Sequence, residues 1–128
     1  MVQYPSMRAE LLETLRCLAD REYQQRAWVD HNYPPGVLDD SFDEAVHFLF
    51  DDTILAENSN ATIGVIVEDE KEAGLIAAVC RAIEQVFEAS GTELSDQEYI
   101  NSSEWMNVVE AASFALQMIT KEQLSSPV

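Results

Sequence analysis

Glu44, His47 and Asp51 have the residue types and the spacing of a metal site on one predicted helix. Glu44 and His47 form an E-x-x-H pair, which is half of the di-iron site of some helical bundles, and Asp51 follows about one turn later. The rest of such a site is missing, since the only other histidine, His31, lies in a proline-containing loop. At about 100° per residue the three side chains lie opposite the apolar stripe of their helix, so we predict a solvated polar face without metal or cofactor. A small metal-dependent helical enzyme stays open as the alternative.

The two cysteines give little support for nucleophilic catalysis. Cys80 lies inside an apolar stripe, where a thiol usually serves as a small buried hydrophobe. Cys17 lies off the stripe of its own helix and has no nearby basic loop with a histidine to activate it. G-x-S-x-G, Walker A and G-x-G-x-x-G motifs are absent from the sequence. We therefore predict a protein that is not an enzyme and has no catalytic residues.

Acidic residues are concentrated around the third predicted helix and at the start of the fourth. Neither group has the D-x-D-x-D-G pattern of a calcium loop, and both lie where the helix dipole stabilises carboxylates. The first group also has an aromatic residue, Phe48, at the edge of its outward face, which is typical of protein-binding hot spots. Packing of Phe48 beneath a neighbouring helix is the open alternative. The predicted partner-binding residues are Asp39, Asp40, Asp43, Glu44, His47, Phe48, Asp51, Asp52, Glu68, Asp69 and Glu70.

The net charge restricts the kinds of partner that this chain can bind. Seven basic and 24 acidic residues give −17, and residues 38–128 carry nearly all of that excess. Binding to a nucleic-acid backbone or to an anionic membrane surface needs a basic face, so both are excluded. Two explanations of the acidity stay open: solubility alone, or attraction of a basic protein partner.

Length and composition predict one folded domain over residues 1–128. The chain is 47% hydrophobic, which suffices for a core, and has no apolar run long enough to span a membrane. Its first residues lack the pattern of a signal peptide, and two cysteines without CxxC spacing do not suggest a disulfide scaffold. We therefore expect a cytoplasmic protein. Its oligomeric state stays open, and a homo-oligomer is compatible with the sequence.

Hydrophobic periodicity and capping residues predict an all-α fold, a compact bundle of about five helices. Ser6, Asp20, Ser41 and Ser95 are the predicted N-caps, and Gly91 closes the fourth helix. The β-branched segment 63–67 predicts an extended buried stretch, with a helix start as the alternative. The predicted helices cover residues 7–19, 20–29, 41–52, 69–89 and 103–120, with a short helix after Ser95.

Two sequence segments carry a resemblance to a known family. They are EYQQRAWV at residues 22–29 and FDEAVHFLFDDT at residues 42–53, and the terminal helix with Trp105 accompanies them. With these motifs the chain resembles an uncharacterised bacterial family of small acidic helical proteins of immunity-protein type. The resemblance implies an inhibitor that neutralises a basic toxin domain, including toxins that attack nucleic acids, and it transfers no functional residues. A non-catalytic accessory subunit of a larger complex is a further alternative.

Overall fold

The computed structural model describes the backbone of residues 2–125 and the side chains of residues 2–121. Over this range the protein is a compact all-α bundle without β-strands, as predicted. Two of its helices begin in α geometry and continue as π-helix. The helices are α1 (Pro5–Ala19), α2 (Arg21–Tyr23, continued as Gln24–Val29), α3 (Phe42–Val46, continued as His47–Asp52), α4 (Glu70–Ser90), α5 (Asp96–Ile100) and α6 (Trp105–Ser125), with a 3₁₀ turn at Ser59–Thr62.

Helix α6 packs against both α1 and α4, and these three helices form the main core. Each of them buries an apolar stripe at helical spacing, represented by Leu15, Ile83 and Val108, all of which are fully buried. Aromatic rings fill the end of the core next to α3. The ring of Phe42 lies 4.9 Å from that of Trp105 and 5.2 Å from that of Tyr99, both edge-on. This cluster fixes the start of α3 against α5 and α6.

Most helix ends were predictable from single residues. Asp20, Ser41, Asp69 and Ser95 each accept a hydrogen bond from a backbone N–H in the first turn of the following helix. Gly91 ends α4 with a φ of 82°, which glycine adopts without strain. The expected cap at Ser6 is wrong, because α1 already begins at Pro5. Proline suits the first helical position, where its fixed φ is favourable and its missing N–H has no partner to lose.

Residues 63–67 form a tight turn, so the expected extended segment is wrong. Gly64 has a φ of 79°, and the N–H groups of Val65, Ile66 and Val67 all donate to the carbonyl of Thr62. Ile66 and Val67 are buried, which explains the β-branched composition as a requirement of packing. The N-terminal segment attaches here, because Gln3 N and Tyr4 N donate to the carbonyls of Gly64 and Val65.

A buried ion pair joins this turn to α1 and α4. The guanidinium of Arg8 donates to both carboxylate oxygens of Glu72, over 2.7 and 2.9 Å, and also to the carbonyl of Ile66 over 3.1 Å. Glu72 is 1% exposed and additionally accepts a hydrogen bond from Glu68 N. A buried charge is tolerated only when it is paired and hydrogen-bonded in this way. No helix among residues 2–125 is long and apolar enough to cross a membrane.

Candidate protein-binding cleft

A cleft of about 260 Å³ lies between α1, α2 and α3. Five carboxylates and several apolar side chains line it together. The acidic residues come from α1, from the loop before α3 and from the first turn of α3: Glu10, Glu13, Asp39, Asp40 and Glu44. The volume lies just below the range of about 300–1,000 Å³ that encloses most small-molecule ligands, and it suits one inserted side chain.

Asp40 lines this cleft and is half-buried. One of its oxygens accepts hydrogen bonds from the Tyr23 hydroxyl, at 2.6 Å, and from the Trp28 indole N–H, at 3.0 Å. The other oxygen accepts from Ser41 N at 2.9 Å. All three donors are neutral, so they fix the carboxylate in place without cancelling its charge. Asp40 was predicted as part of an outward helix face, but it precedes the helix and is held by α2.

The groups beside Asp40 are held in their protonated forms. Burial, followed by the hydrogen bond to Asp40, raises the pKa of Tyr23 well above its ordinary value. Burial also raises the pKa of the Cys17 thiol to about 12, with a further contribution from the Asp40 charge. A protonated thiol is a poor nucleophile. This part of the cleft therefore presents a fixed negative charge with neutral neighbours, an arrangement suited to binding a cation.

The apolar floor of the cleft comes from the two π-helical segments. Trp28 lies in the π-helical part of α2 and Phe48 in that of α3, and both line the cleft. Phe48 is only 4% exposed, so it packs beneath its neighbours and does not lie at the surface, and its predicted contact with a partner stays a prediction. Its ring is too large to leave in water when a neighbouring helix can cover it. The widened helical turns were not predicted, since no residue pattern marks them.

The structure separates the remaining predicted residues of the third helix from this cleft. Asp43 and His47 line a second cleft of about 420 Å³, between α3 and the segment from Thr92 to Tyr99. His47 and Asp51 form an exposed pair, with 2.7 Å between Nδ1 and Oδ2. Asp52 is exposed at the end of the helix. The predicted acidic face is thus divided between two sides of α3.

The acidic residues at the start of α4 line neither of these clefts. Asp69 is the N-cap of α4 and accepts a hydrogen bond from Glu72 N at 2.9 Å, so its role is in the helix end. Glu68 and Glu70 are exposed beside it. The predicted binding of a partner through these residues, together with those of helix three, stays a prediction.

Two acidic residues of the cleft, Glu10 and Glu13, were missed at the level of sequence. They lie on the same face of α1 as Thr14 and Cys17, about 120° around the helix from the buried leucine stripe. Helical periodicity identifies this face as solvent-facing, but only the tertiary packing brings it against α3. Glu13 also pairs with Arg16 on the surface, with 2.7 Å between Arg16 Nη1 and Glu13 Oε1.

Of the three residues proposed as ligands in the metal-enzyme alternative, His47 and Asp51 are in contact. Among the side chains of residues 2–121, no three His, Cys, Asp or Glu residues converge as metal ligands would. His47 meets Asp51, while Glu44 lines the cleft with Asp40. The two residues of the E-x-x-H pair thus lie apart in role: His47 contacts Asp51 at the surface, and Glu44 lines the cleft.

A family model matches residues 2–127, which is almost the whole chain. The chain belongs to the family described as Domain of unknown function (DUF7945). No curated protein and no solved structure matches the chain. The description of this family names no activity, so the resemblance to immunity proteins stays a prediction.

Proposed function

We propose that this protein is a non-catalytic inhibitor of immunity type, which binds a basic toxin domain in the cytoplasm of the cell that makes it. The observation that carries the proposal is the position of Asp40. Its carboxylate is fixed by three neutral donors inside a cleft with four more carboxylates. Such a site is built before the partner arrives, so little ordering entropy opposes binding.

An arginine side chain fits the chemistry of the cleft. Its guanidinium forms two parallel hydrogen bonds with a carboxylate, and its flat faces stack on aromatic rings. Tyr23, Trp28 and Ser41 occupy three of the four lone pairs of Asp40, so Asp40 can accept one hydrogen bond from a guanidinium. The other carboxylates that line the cleft can accept hydrogen bonds from its remaining N–H groups. Lysine matches the charge but not the planar geometry. We therefore expect the partner to insert an arginine, as toxin domains with a basic substrate site can do.

The charge outside the cleft supports the same function through the rate of encounter. A net charge of −17 on 128 residues produces an attractive field for a basic protein well beyond the contact surface. Such fields accelerate association and are weakened by salt. The net charge of the whole surface thus speeds the encounter with a basic partner, and the cleft determines which side chain of that partner binds.

The test compares two double charge reversals that change the net charge equally. Glu10→Lys/Asp39→Lys alters two exposed residues that line the cleft, and Glu57→Lys/Glu88→Lys alters two exposed residues that do not. The partner is first identified by co-purification from the native host, and its association rate is then followed by stopped-flow fluorescence. We expect the rate to fall steeply with salt, and the cleft variant to bind about tenfold more slowly than its control.

Two outcomes would contradict the proposal. Equal slowing by both variants would assign the acidity to general steering and remove the role of the cleft. A partner that is not basic, or whose expression does not harm cells lacking this protein, would remove the immunity function. Growth restored by co-expressing the wild-type chain with the partner, and not by co-expressing the cleft variant, is the expected cellular result.

A further inference from the structure

The second cleft, between α3 and the segment from Thr92 to Tyr99, has the size and the partly apolar lining of a small-molecule site. Its volume of about 420 Å³ lies within the range of about 300–1,000 Å³ that encloses most such ligands. Val46, Phe87 and Leu94 line the cleft and are each only half-buried, so apolar surface stays open to solvent there. An apolar group placed against these three side chains is removed from water, which favours binding.

Phe87 extends the aromatic cluster of the core to this cleft. Its ring lies 5.7 Å from that of Phe42 and 5.8 Å from that of Tyr99, and both of these residues are buried. Aromatic rings at such separations attract each other, and close packing restricts their movement. Phe87 therefore presents a surface whose position is set before any ligand arrives.

Three carboxylates, those of Asp43, Glu93 and Asp96, line the same cleft, and none of its described lining residues is lysine or arginine. Asp96 accepts a hydrogen bond from Phe42 N at 3.1 Å, a neutral donor that does not cancel its charge. Burial is the largest influence that raises the pKa of Asp96, and the nearby charge of Asp43 raises it further. A cation beside these two carboxylates offsets both the burial of charge and the repulsion.

The same lining disfavours an anion. The starts of α3 and α5 meet at this cleft, and helix starts are common anion sites. Both are already capped, because Ser41 and Ser95 each accept a hydrogen bond from a backbone N–H of the following turn. His47, the histidine of the lining, is paired with Asp51, with 2.7 Å between Nδ1 and Oδ2. The three carboxylates therefore dominate the charge of the cleft.

We propose that the second cleft binds a small organic cation, an amine whose ammonium group contacts Asp43 and Asp96 while its apolar body lies against Val46, Phe87 and Leu94. An aromatic ring in the lining adds attraction for a cation. A bare metal ion leaves the apolar part of this lining unused, and a neutral apolar molecule leaves the carboxylates unused. None of the residues that line this cleft lines the first cleft, between α1, α2 and α3, so this inference is independent of the proposed function.

Three probes of similar shape and different charge test the proposal on the isotope-labelled full chain. Phenethylammonium carries the required positive charge, phenethyl alcohol is its neutral analogue and hydrocinnamate is its anionic analogue. We expect phenethylammonium to bind with a Kd of about 1 mM and to shift the amide resonances of Asp43, Thr92 and Asp96 in nuclear magnetic resonance spectra. The neutral and anionic analogues should bind at least about tenfold more weakly.

A matched pair of variants assigns the binding to the cleft. Asp43→Asn and Glu88→Gln each remove one negative charge from an exposed side chain. Asp43 lines the second cleft, whereas Glu88 is adjacent in sequence to Phe87 and lines neither cleft. We expect Asp43→Asn to weaken the binding of phenethylammonium about threefold, the effect of an exposed ion pair, and Glu88→Gln to leave it nearly unchanged. Amide spectra without ligand check that both variants are folded.

Three results would overturn the proposal. The first is binding of phenethyl alcohol or hydrocinnamate as tight as that of phenethylammonium, which would remove the role of the carboxylates. The second is an equal loss of affinity in both variants, which would assign binding to the overall negative charge. The third is a titration to about 20 mM that gives no saturable shifts at the second cleft, or shifts at the first cleft instead. None of these results involves a protein partner, so they are distinct from a failure of the proposed function.

Discussion

Glu72 and Asp40 are both carboxylates that accept at least three hydrogen bonds, but only the charge of Glu72 is neutralised by its partner. Glu72 is buried at the start of α4, and its partner is the guanidinium of Arg8. Asp40 is half-buried in the cleft, and its donors are a phenol, an indole and a backbone N–H. Arg8 cancels the charge of Glu72, whereas nothing in the shell around Asp40 cancels its charge. The donors therefore distinguish a carboxylate that stabilises the fold from one that is available to a partner.

This difference matters because cations are scarce in the chain. It has seven lysine and arginine residues for 24 acidic ones, and one of the seven is buried against Glu72. Asp40 is fixed among the lining residues of a cleft by neutral donors alone, so its charge is left uncompensated by them. The geometry at Asp40 is the feature that general acidity does not explain.

Removal of one partner from the buried ion pair should produce the largest effect. We expect Glu72→Gln to lower the free energy of unfolding by about 3–5 kcal/mol, because it leaves the Arg8 charge buried without a counter-charge. Urea unfolding measures this loss. The matched control is the double variant Arg8→Met/Glu72→Leu, which removes both charges and should recover most of the stability. A single variant as stable as the wild type would show that this pair does not hold α1 against α4.

Loss of one donor to Asp40 should have an intermediate effect. We expect Tyr23→Phe to reduce the free energy of unfolding by about 1.5–3 kcal/mol, the range for a hydrogen bond to a charged group. Tyr33→Phe is the control, since the Tyr33 hydroxyl shares an exposed hydrogen bond with His31, and it should change stability by less than about 0.5 kcal/mol. Equal stabilities of the two variants in thermal or urea unfolding would mean that Tyr23 does not fix the carboxylate.

Local signals in the sequence determined the helix ends but not the site. Asp20, Ser41 and Ser95 act within three residues of their own positions, so their roles as caps were predicted correctly. The cleft depends on contacts between distant residues, such as the 17-residue separation from Tyr23 to Asp40. The angular position of Glu44 correctly indicated exposure, but it could not show that Glu10 of α1 lies across from it.

The burial of Phe48 and of Glu72 could not be predicted from the residues near them in the sequence. An aromatic residue at the edge of an acidic face was predicted to bind a partner, and it is buried because α3 packs closely in a small domain. An acidic residue in the first turn of α4 gave no sign of burial, and it is buried because Arg8, 64 positions away, reaches it. In both cases the decisive neighbour is supplied by the tertiary fold.

Replacement of Asp96 should have the smallest effect on stability, and the effect should depend on pH. Its carboxylate accepts a hydrogen bond from Phe42 N at 3.1 Å, but burial is the stronger influence and raises its pKa above the ordinary 3.8. The folded state therefore binds the proton more tightly than the unfolded state. Stability contributed by protonated Asp96 is complete below 3.8 and is lost as the pH rises through the raised, folded-state pKa.

Replacement of Asp96 by asparagine should remove this dependence. We expect Asp96→Asn to be more stable than the wild type near neutral pH, with the difference closing as the pH falls towards 3.8 in urea unfolding. Glu98→Gln is the control of opposite sign, because hydrogen bonds from Ser95 lower the pKa of Glu98 below 4.5. Its stabilisation is present above 4.5 and is lost as the pH falls through the folded-state pKa. If both variants respond to pH with the same sign, the donors around each carboxylate do not control its contribution.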